Sequence, residues 1–276
     1  MNRRIGVFDS GLGGLSVLKA LRAEMPLENF IYIADNAHAP YGDRDDAHVI
    51  ARTCAIAAHL VSRNVKALVI ACNTATAAAI DLVRATYPQL PIIGVEPALK
   101  PAVAVSITGQ IAVMVTSSTL ASARFQALLK SQTGLASFVP LACDGLADAI
   151  ERSISSQDAT EVIAACTRFT SAAGTFGNQP GQIDTLVLGC THYPFASPYL
   201  QQLLGPGVQI VDNGVAVARQ TRRLTASLPV GADAADAAIA LVAGQVEWFT
   251  TGQPHVLQAA AARLLGLDSP VKTLQF

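Results

Sequence analysis

Apolar residues along this chain fall into short unbroken runs separated by longer stretches with a helical period. Runs rich in β-branched residues at 4–8 (RIGVF), 30–33, 67–71 (ALVIA), 92–95, 111–115 (IAVMV), 137–141, 185–189 (TLVLG) and 208–211 predict strands. They show no polar alternation, as expected of a parallel sheet covered on both faces. The longer stretches predict helices over 14–24, 46–63, 75–86, 98–106, 119–132, 145–154, 158–173, 195–204, 214–227, 233–246 and 254–265. Strand and helix therefore alternate, which predicts a parallel α/β fold.

The pattern also repeats. IGVFDSGLGGLSVLKAL at 5–21 is echoed by IAVMVTSSTLASARFQALL at 111–129, and LVIACNTATAAA at 68–79 by LVLGCTHYPFAS at 186–197. Two similar α/β units, each with an open sheet, fit these echoes. A single eight-unit barrel fits them less well. The stretch from 213 onward has no counterpart in the second unit, so it is expected to return to the first. The expected division is 1–97 plus 213–276 against 98–212.

Composition narrows the function classes. Of 276 residues, 51% are apolar and 14% charged, the net charge is −1 and the pI about 6.5. There is no basic stripe, so neither nucleic acid nor an anionic membrane is expected as a partner. No apolar stretch reaches the roughly 18 uncharged residues of a spanning helix. The start MNRRIGVFDSG is too short in apolar residues for a signal peptide, so a cytoplasmic location is expected. The five cysteines are odd in number and none stands in CxxC spacing, which speaks against a disulfide framework. Cys54 and Cys166 lie in alanine-rich helical stretches and are expected to be core residues.

Four polar turns follow strands: Asp9-Ser10, Cys72-Asn73-Thr74, Thr116-Ser117 and Cys190-Thr191-His192. Ligands of open α/β sheets bind beyond the carboxyl ends of the strands, so these turns are expected to converge on a polar site between the two units. Cys72 and Cys190 each lie after a buried strand and before a helix, a setting that lowers thiol pKa. A disulfide switch would want the sulfurs in contact. A metal site would want further ligands, and no spacing here supports zinc. A single Cys–His nucleophile would leave one cysteine idle. Two opposed acid/base groups use both: a proton leaves one face of a carbon and returns to the other. The glycine-rich DSGLGGLS lacks the lysine of a phosphate loop and the GxGxxG spacing, so its glycines are read as a tight turn beside a ligand. The Pro/Gly turn HAPYGDR at 38–44 and Thr74, Thr116, Thr119 and Thr191 add donors suited to a ligand with two carboxylates and an amine.

Taken together, GVFDSGLGGLSVL, APYGDR, ACNTATA, GVEPALKPA, LGCTHYP and WFTTGQP resemble the glutamate racemases, of the cofactor-independent aspartate/glutamate racemase superfamily. The resemblance spans the chain. It implies two pseudo-symmetric, flavodoxin-like open-sheet domains with the active site between them, L-/D-glutamate as substrate and D-glutamate supplied to peptidoglycan. It also implies a homodimer and no cofactor; no lysine follows either turn to hold a pyridoxal group. Cys72 and Cys190 correspond to the acid/base thiols that take the α-proton from D- and L-glutamate respectively, and Asp9 and His192 to their helpers. Asp9, Ser10, Pro40, Tyr41, Gly42, Asn73, Thr74, Thr116, Thr119, Thr191 and His192 correspond to substrate binders. Two positions depart from the family pattern. His38 stands where an arginine is common before PYG. After VPL, Cys143 stands where a glutamate often supports the histidine, which leaves Asp144 to substitute or the support missing.

Overall fold

The computed structural model describes residues 3–226 and 243–276. The chain divides into two compact units, Met1–Val95 with Gly214–Phe276, and Glu96–Asn213.

The first unit opens with β1 (Ile5–Asp9), α1 (Leu15–Glu24), β2 (Phe30–Ala34), α2 (Asp46–Ser62), β3 (Ala67–Ile70), α3 (Asn73–Thr86) and β4 (Ile92–Gly94). The second contains α4 (Leu99–Val105), β5 (Gln110–Val115), α5 (Ser117–Ala121), α6 (Ala123–Ser131), β6 (Ser137–Ala142), α7 (Leu146–Ser156), α8 (Thr160–Ala173), β7 (Thr185–Leu188), α9 (Ser197–Leu204) and β8 (Gln209–Val211). The chain then returns to the first unit with α10 (Gly214–Ala226), β9 (Val246–Thr250), α11 (Pro254–Leu265) and β10 (Val271–Thr273).

Both sheets are parallel throughout, in the orders β10-β9-β2-β1-β3-β4 and β6-β5-β7-β8. β1, β2 and β3 are buried along their whole length, which is why they read as continuous apolar runs. β6 is an edge strand and tolerates Pro140, which has no N–H to donate to a ladder.

Three expectations change. Val246 begins β9 rather than ending a helix over 233–246, and residues 233–242 lie outside the described residues. β9 and β10 themselves were not foreseen. The single helix expected over 119–132 is two: Ser122 leaves helical geometry (φ −67°, ψ 138°), and its Oγ accepts from Phe125 N at 3.2 Å to cap α6.

The repeat seen in the sequence is a repeat of strand order. β2-β1-β3-β4 in one sheet matches β6-β5-β7-β8 in the other. In each unit the first strand is flanked by the second on one side and the third on the other, so the order of strands across the sheet reverses there and a crevice opens beyond the strand ends. The hydrogen bonds at the rim match as well. Ala71 N donates to Phe8 O (2.7 Å) as Gly189 N does to Met114 O (2.8 Å), and Asp35 N to Asp9 O (2.9 Å) as Cys143 N does to Val115 O (2.8 Å). Cys72 and Cys190 therefore occupy equivalent points, each two residues past the third strand of its unit.

Candidate active site

In the first unit, Cys72 is the N-cap of α3 and its Sγ accepts from Ala75 N at 3.5 Å. A donor and the positive end of a fourteen-residue helix both favour negative charge on that sulfur. Ser10 Oγ lies 3.6 Å from Sγ, and Cys72 is only 5% exposed. Asp9 is fully buried at the end of β1, and its Oδ1 accepts from Gly11 N at 2.8 Å. Gly14 is required here, because a Cβ would come within 2.5 Å of the Asp9 Cβ and 2.8 Å of the Tyr32 hydroxyl. Asn73 donates to Val95 O at 3.4 Å, and its Oδ1 is buried with no hydrogen-bond partner.

The 40–42 turn is tied to this cluster by a carboxylate. Asp35, fully buried, accepts from Tyr41 Oη (2.6 Å), Thr251 Oγ1 (2.7 Å) and both Nε and Nη2 of Arg52 (2.9 and 2.8 Å). Burial alone would raise the Asp35 carboxyl, and the bonds from Arg52, Tyr41 and Thr251 outweigh it and hold it below the ordinary range. Tyr41 packs in the same apolar core as Cys72, so this network fixes one wall of the cluster. Pro40 follows a cis peptide bond and Gly42 is half-buried beside it. His38 is half-buried near Asp35, and burial lowers its imidazole.

In the second unit, Thr116 caps α5 by accepting from Thr119 N (3.2 Å), and the two hydroxyls lie 3.0 Å apart. Cys190, 8% exposed, has its Sγ 3.7 Å from His192 Nδ1. His192 Nε2 lies 2.7 Å from Glu151 Oε1. Burial pulls the His192 imidazole down, but its bonds to Cys190 and Glu151 carry it well above the ordinary value. As an imidazolium it donates from both nitrogens, which sets a cation against the Cys190 sulfur and a carboxylate behind the cation. Thr191 is buried beside it.

Support for His192 thus comes from Glu151, in the middle of α7, and not from Asp144. Asp144 is engaged with Ser117, whose backbone N and Oγ both donate to it. Cys143 holds the place equivalent to Asp35 and is a buried thiol that burial pushes far up. The signal that could have found Glu151 is helical phase: Leu146, Ala149 and Ile150 form the buried stripe of α7, and position 151 adjoins it.

Gly189 explains the LGCTHY spacing. A Cβ there would sit 2.6 Å from Val115 Cγ1 and 2.9 Å from the Met114 carbonyl oxygen. Only glycine lets the chain cross β5 closely enough to place Cys190 at the rim. Cys54 and Cys166 lie in α2 and α8, with Cys166 fully buried and its thiol pushed up to about 11 by burial. Among the described residues, no group of three or more His, Cys, Asp or Glu gathers as a metal site, and no helix is long and apolar enough to cross a membrane.

Twin parallel sheets of this kind belong to a racemase class: the family model of Asp/Glu/hydantoin racemases matches residues 15–221. Among relatives, the glutamate racemase of Ectopseudomonas mendocina is 40% identical over 268 residues, covering 97% of this chain and 96% of its own. Among solved structures, glutamate racemase from Bacillus anthracis matches with a TM-score of 0.84 at 29% identity, covering 99% of this chain and 98% of that one. Escherichia coli glutamate racemase, solved with L-glutamate and an activator, matches with a TM-score of 0.82 at 28% identity and the same coverage. The chain belongs to the glutamate racemase family and is an isomerase.

Proposed function

We propose that the enzyme interconverts L- and D-glutamate without a cofactor, with Cys72 and Cys190 as the acid/base pair. From L-glutamate, the Cys190 thiolate takes the α-proton and the Cys72 thiol delivers its own proton to the opposite face of the carbanion. One C–H bond and one S–H bond break, one of each forms, and the negative charge passes from one sulfur to the other. From D-glutamate the roles reverse. The observation that carries this reading is the equivalence of the two buried thiols, each past the third strand of its unit and each beside its own tuning group.

Substrate binding falls to Asp9, Ser10, Pro40, Tyr41, Gly42, Asn73, Thr74, Thr116, Thr119, Thr191 and His192. The unpartnered Asn73 Oδ1 is an acceptor suited to the α-ammonium, since leaving it unmet costs about 1–3 kcal/mol. The α-proton is very weakly acidic, so the reading requires fixed donors aimed at the developing carbanion and exclusion of water. The substrate assignment is supported by the glutamate racemases among the relatives and by the L-glutamate bound to the Escherichia coli protein. We place the enzyme in the cytoplasm, as a homodimer supplying D-glutamate to peptidoglycan.

The test is to incubate L- or D-glutamate in D2O with dialysed enzyme and no added cofactor. Circular dichroism should decay to zero from either enantiomer, with deuterium appearing at Cα. Cys72→Ser and Cys190→Ser should each lose about 10²–10⁴-fold or more in kcat/KM while keeping the fold. Near-normal racemisation by either variant refutes the two-thiol reading, and faster turnover of aspartate refutes the substrate assignment.

A further inference from the structure

The carboxyl ends of the first sheet carry Cys72. At the opposite, amino-terminal edge of the same sheet lies a cavity of about 740 Å³ that the chemistry above does not use. It is lined by Arg3, Arg4, Arg63 and Lys272, and Glu247 is the one carboxylate among its lining residues. These come together from the start of the chain, the end of α2, β9 and β10.

The charges do not balance. Glu247 Oε2 accepts from Arg4 and from Arg63 Nη2 (2.8 Å), and its Oε1 from Lys272 Nζ (2.8 Å). One negative charge thus serves three cations, and Arg3 is a fourth. The cluster is also held in place: the Arg63 guanidinium lies 5.1 Å and Lys272 Nζ 5.5 Å from the centre of the Phe249 ring. The carbonyl end of α2 accounts for a cation at Arg63, and for that one only.

Three further features define a ligand. Guanidinium forks match the oxygens of a phosphate in pairs. Asn64 and Ser269 add neutral donors at the wall. The volume lies within the range of about 300–1,000 Å³ usual for small-molecule sites. We propose that this cavity is an anion site for a small phosphate-bearing molecule, distinct from the substrate cluster at the other end of the sheet. Such a ligand would supply the negative charge that Glu247 alone does not, and would tie β9 and β10 to the start of β1 and the end of α2.

Titration calorimetry of the full chain with inorganic pyrophosphate, at constant ionic strength, tests this. Saturable one-to-one binding is expected, unaffected by saturating glutamate. Lys272→Ala and Arg3→Ala together should weaken it tenfold or more, with unchanged melting temperature and racemase activity. Glu247→Gln should act in the opposite sense and tighten binding, because it removes the competing carboxylate. Absence of saturable heat at millimolar pyrophosphate, displacement by glutamate, or weaker binding in Glu247→Gln would each overturn the proposal. The measurement needs no turnover, so it is decided independently of the racemase reading.

Discussion

Glu151→Gln isolates the support behind His192. The amide keeps the shape of the side chain and one acceptor, and removes only the charge 2.7 Å from His192 Nε2. A hydrogen bond between charged groups contributes about 1.5–3 kcal/mol. At about 1.36 kcal/mol per tenfold, that loss is a ten- to 150-fold increase in the acid dissociation constant of the imidazolium. Burial already works against the imidazolium, so with the charge of its carboxylate partner gone, deprotonation comes at lower pH. The expected result is the alkaline limb of the pH profile moved to lower pH, with kcat/KM on the alkaline side falling toward about ten- to 150-fold below wild type. The equilibrium constant between mirror-image substrates is unity, so kcat/KM must fall equally from L- and D-glutamate, and any inequality belongs in kcat. The linkage also acts on stability. A histidine whose folded pKa is raised stabilises fully below its unfolded value near 6.5 and loses that contribution as pH rises through the folded value. In Glu151→Gln that loss begins earlier. Glu151→Asp, which keeps the charge, should recover part of the rate. The assay is circular dichroism from both enantiomers across pH 6–10. An unmoved alkaline limb, even with a lower rate, would refute the electrostatic role and leave Glu151 a packing residue.

Two other substitutions test what holds each cluster. Asp35→Asn leaves Arg52, whose side chain is 13% exposed, without its full counter-charge and should cost ~3 kcal/mol, read as a lower denaturation midpoint at pH 7. Because the Asp35 carboxyl sits below its ordinary 3.8, its contribution is present above that pH and vanishes as pH falls through the folded value; the gap to Asp35→Asn should therefore close in strong acid, and a gap independent of pH would refute the ion-pair account. Gly189→Ala drives a methyl to 2.6 Å from Val115 Cγ1 and should destabilise by ~1–3 kcal/mol while lowering kcat through displacement of Cys190. A variant with wild-type midpoint and rate would show that this crossing is not tight.

The sequence carried the strands of the inner sheets because full burial on both faces writes itself as unbroken Val, Ile, Leu and Ala. It carried the two cysteines because strand order repeats and their position repeats with it. What stayed hidden depended on neighbours far along the chain. VEWFT reads poorly as a strand, since Glu247 interrupts it; only in three dimensions do Arg4, Arg63 and Lys272 gather around that carboxylate. Glu151 sits 41 residues before His192 and is met only when α7 packs beside the turn after β7. The carboxylate sought next to the β6 strand end has a physical reason to be absent. Its equivalent, Asp35, is stable in burial because Arg52 reaches it, whereas position 143 packs in an apolar cluster and holds an uncharged thiol.

That contrast bears on how the two thiols are tuned. Equivalent positions in strand order do not give equivalent electrostatics. Beside Cys72 stand a serine hydroxyl and the first turn of α3, groups that do not titrate near neutral pH. Beside Cys190 stands an imidazole whose charge depends on pH and on Glu151. Under the two-thiol reading, a change of pH in the range where His192 titrates acts on Cys190 and leaves the partners of Cys72 unaltered. Since kcat/KM is tied between the enantiomers, the asymmetry must appear in the saturated rates. The ratio of kcat from L-glutamate, where Cys190 takes the proton, to kcat from D-glutamate should fall with rising pH as the imidazolium is lost. In His192→Gln, which removes the titrating group, the same ratio should be flat over that range. A ratio that changes identically in wild type and His192→Gln would place the source of the asymmetry elsewhere.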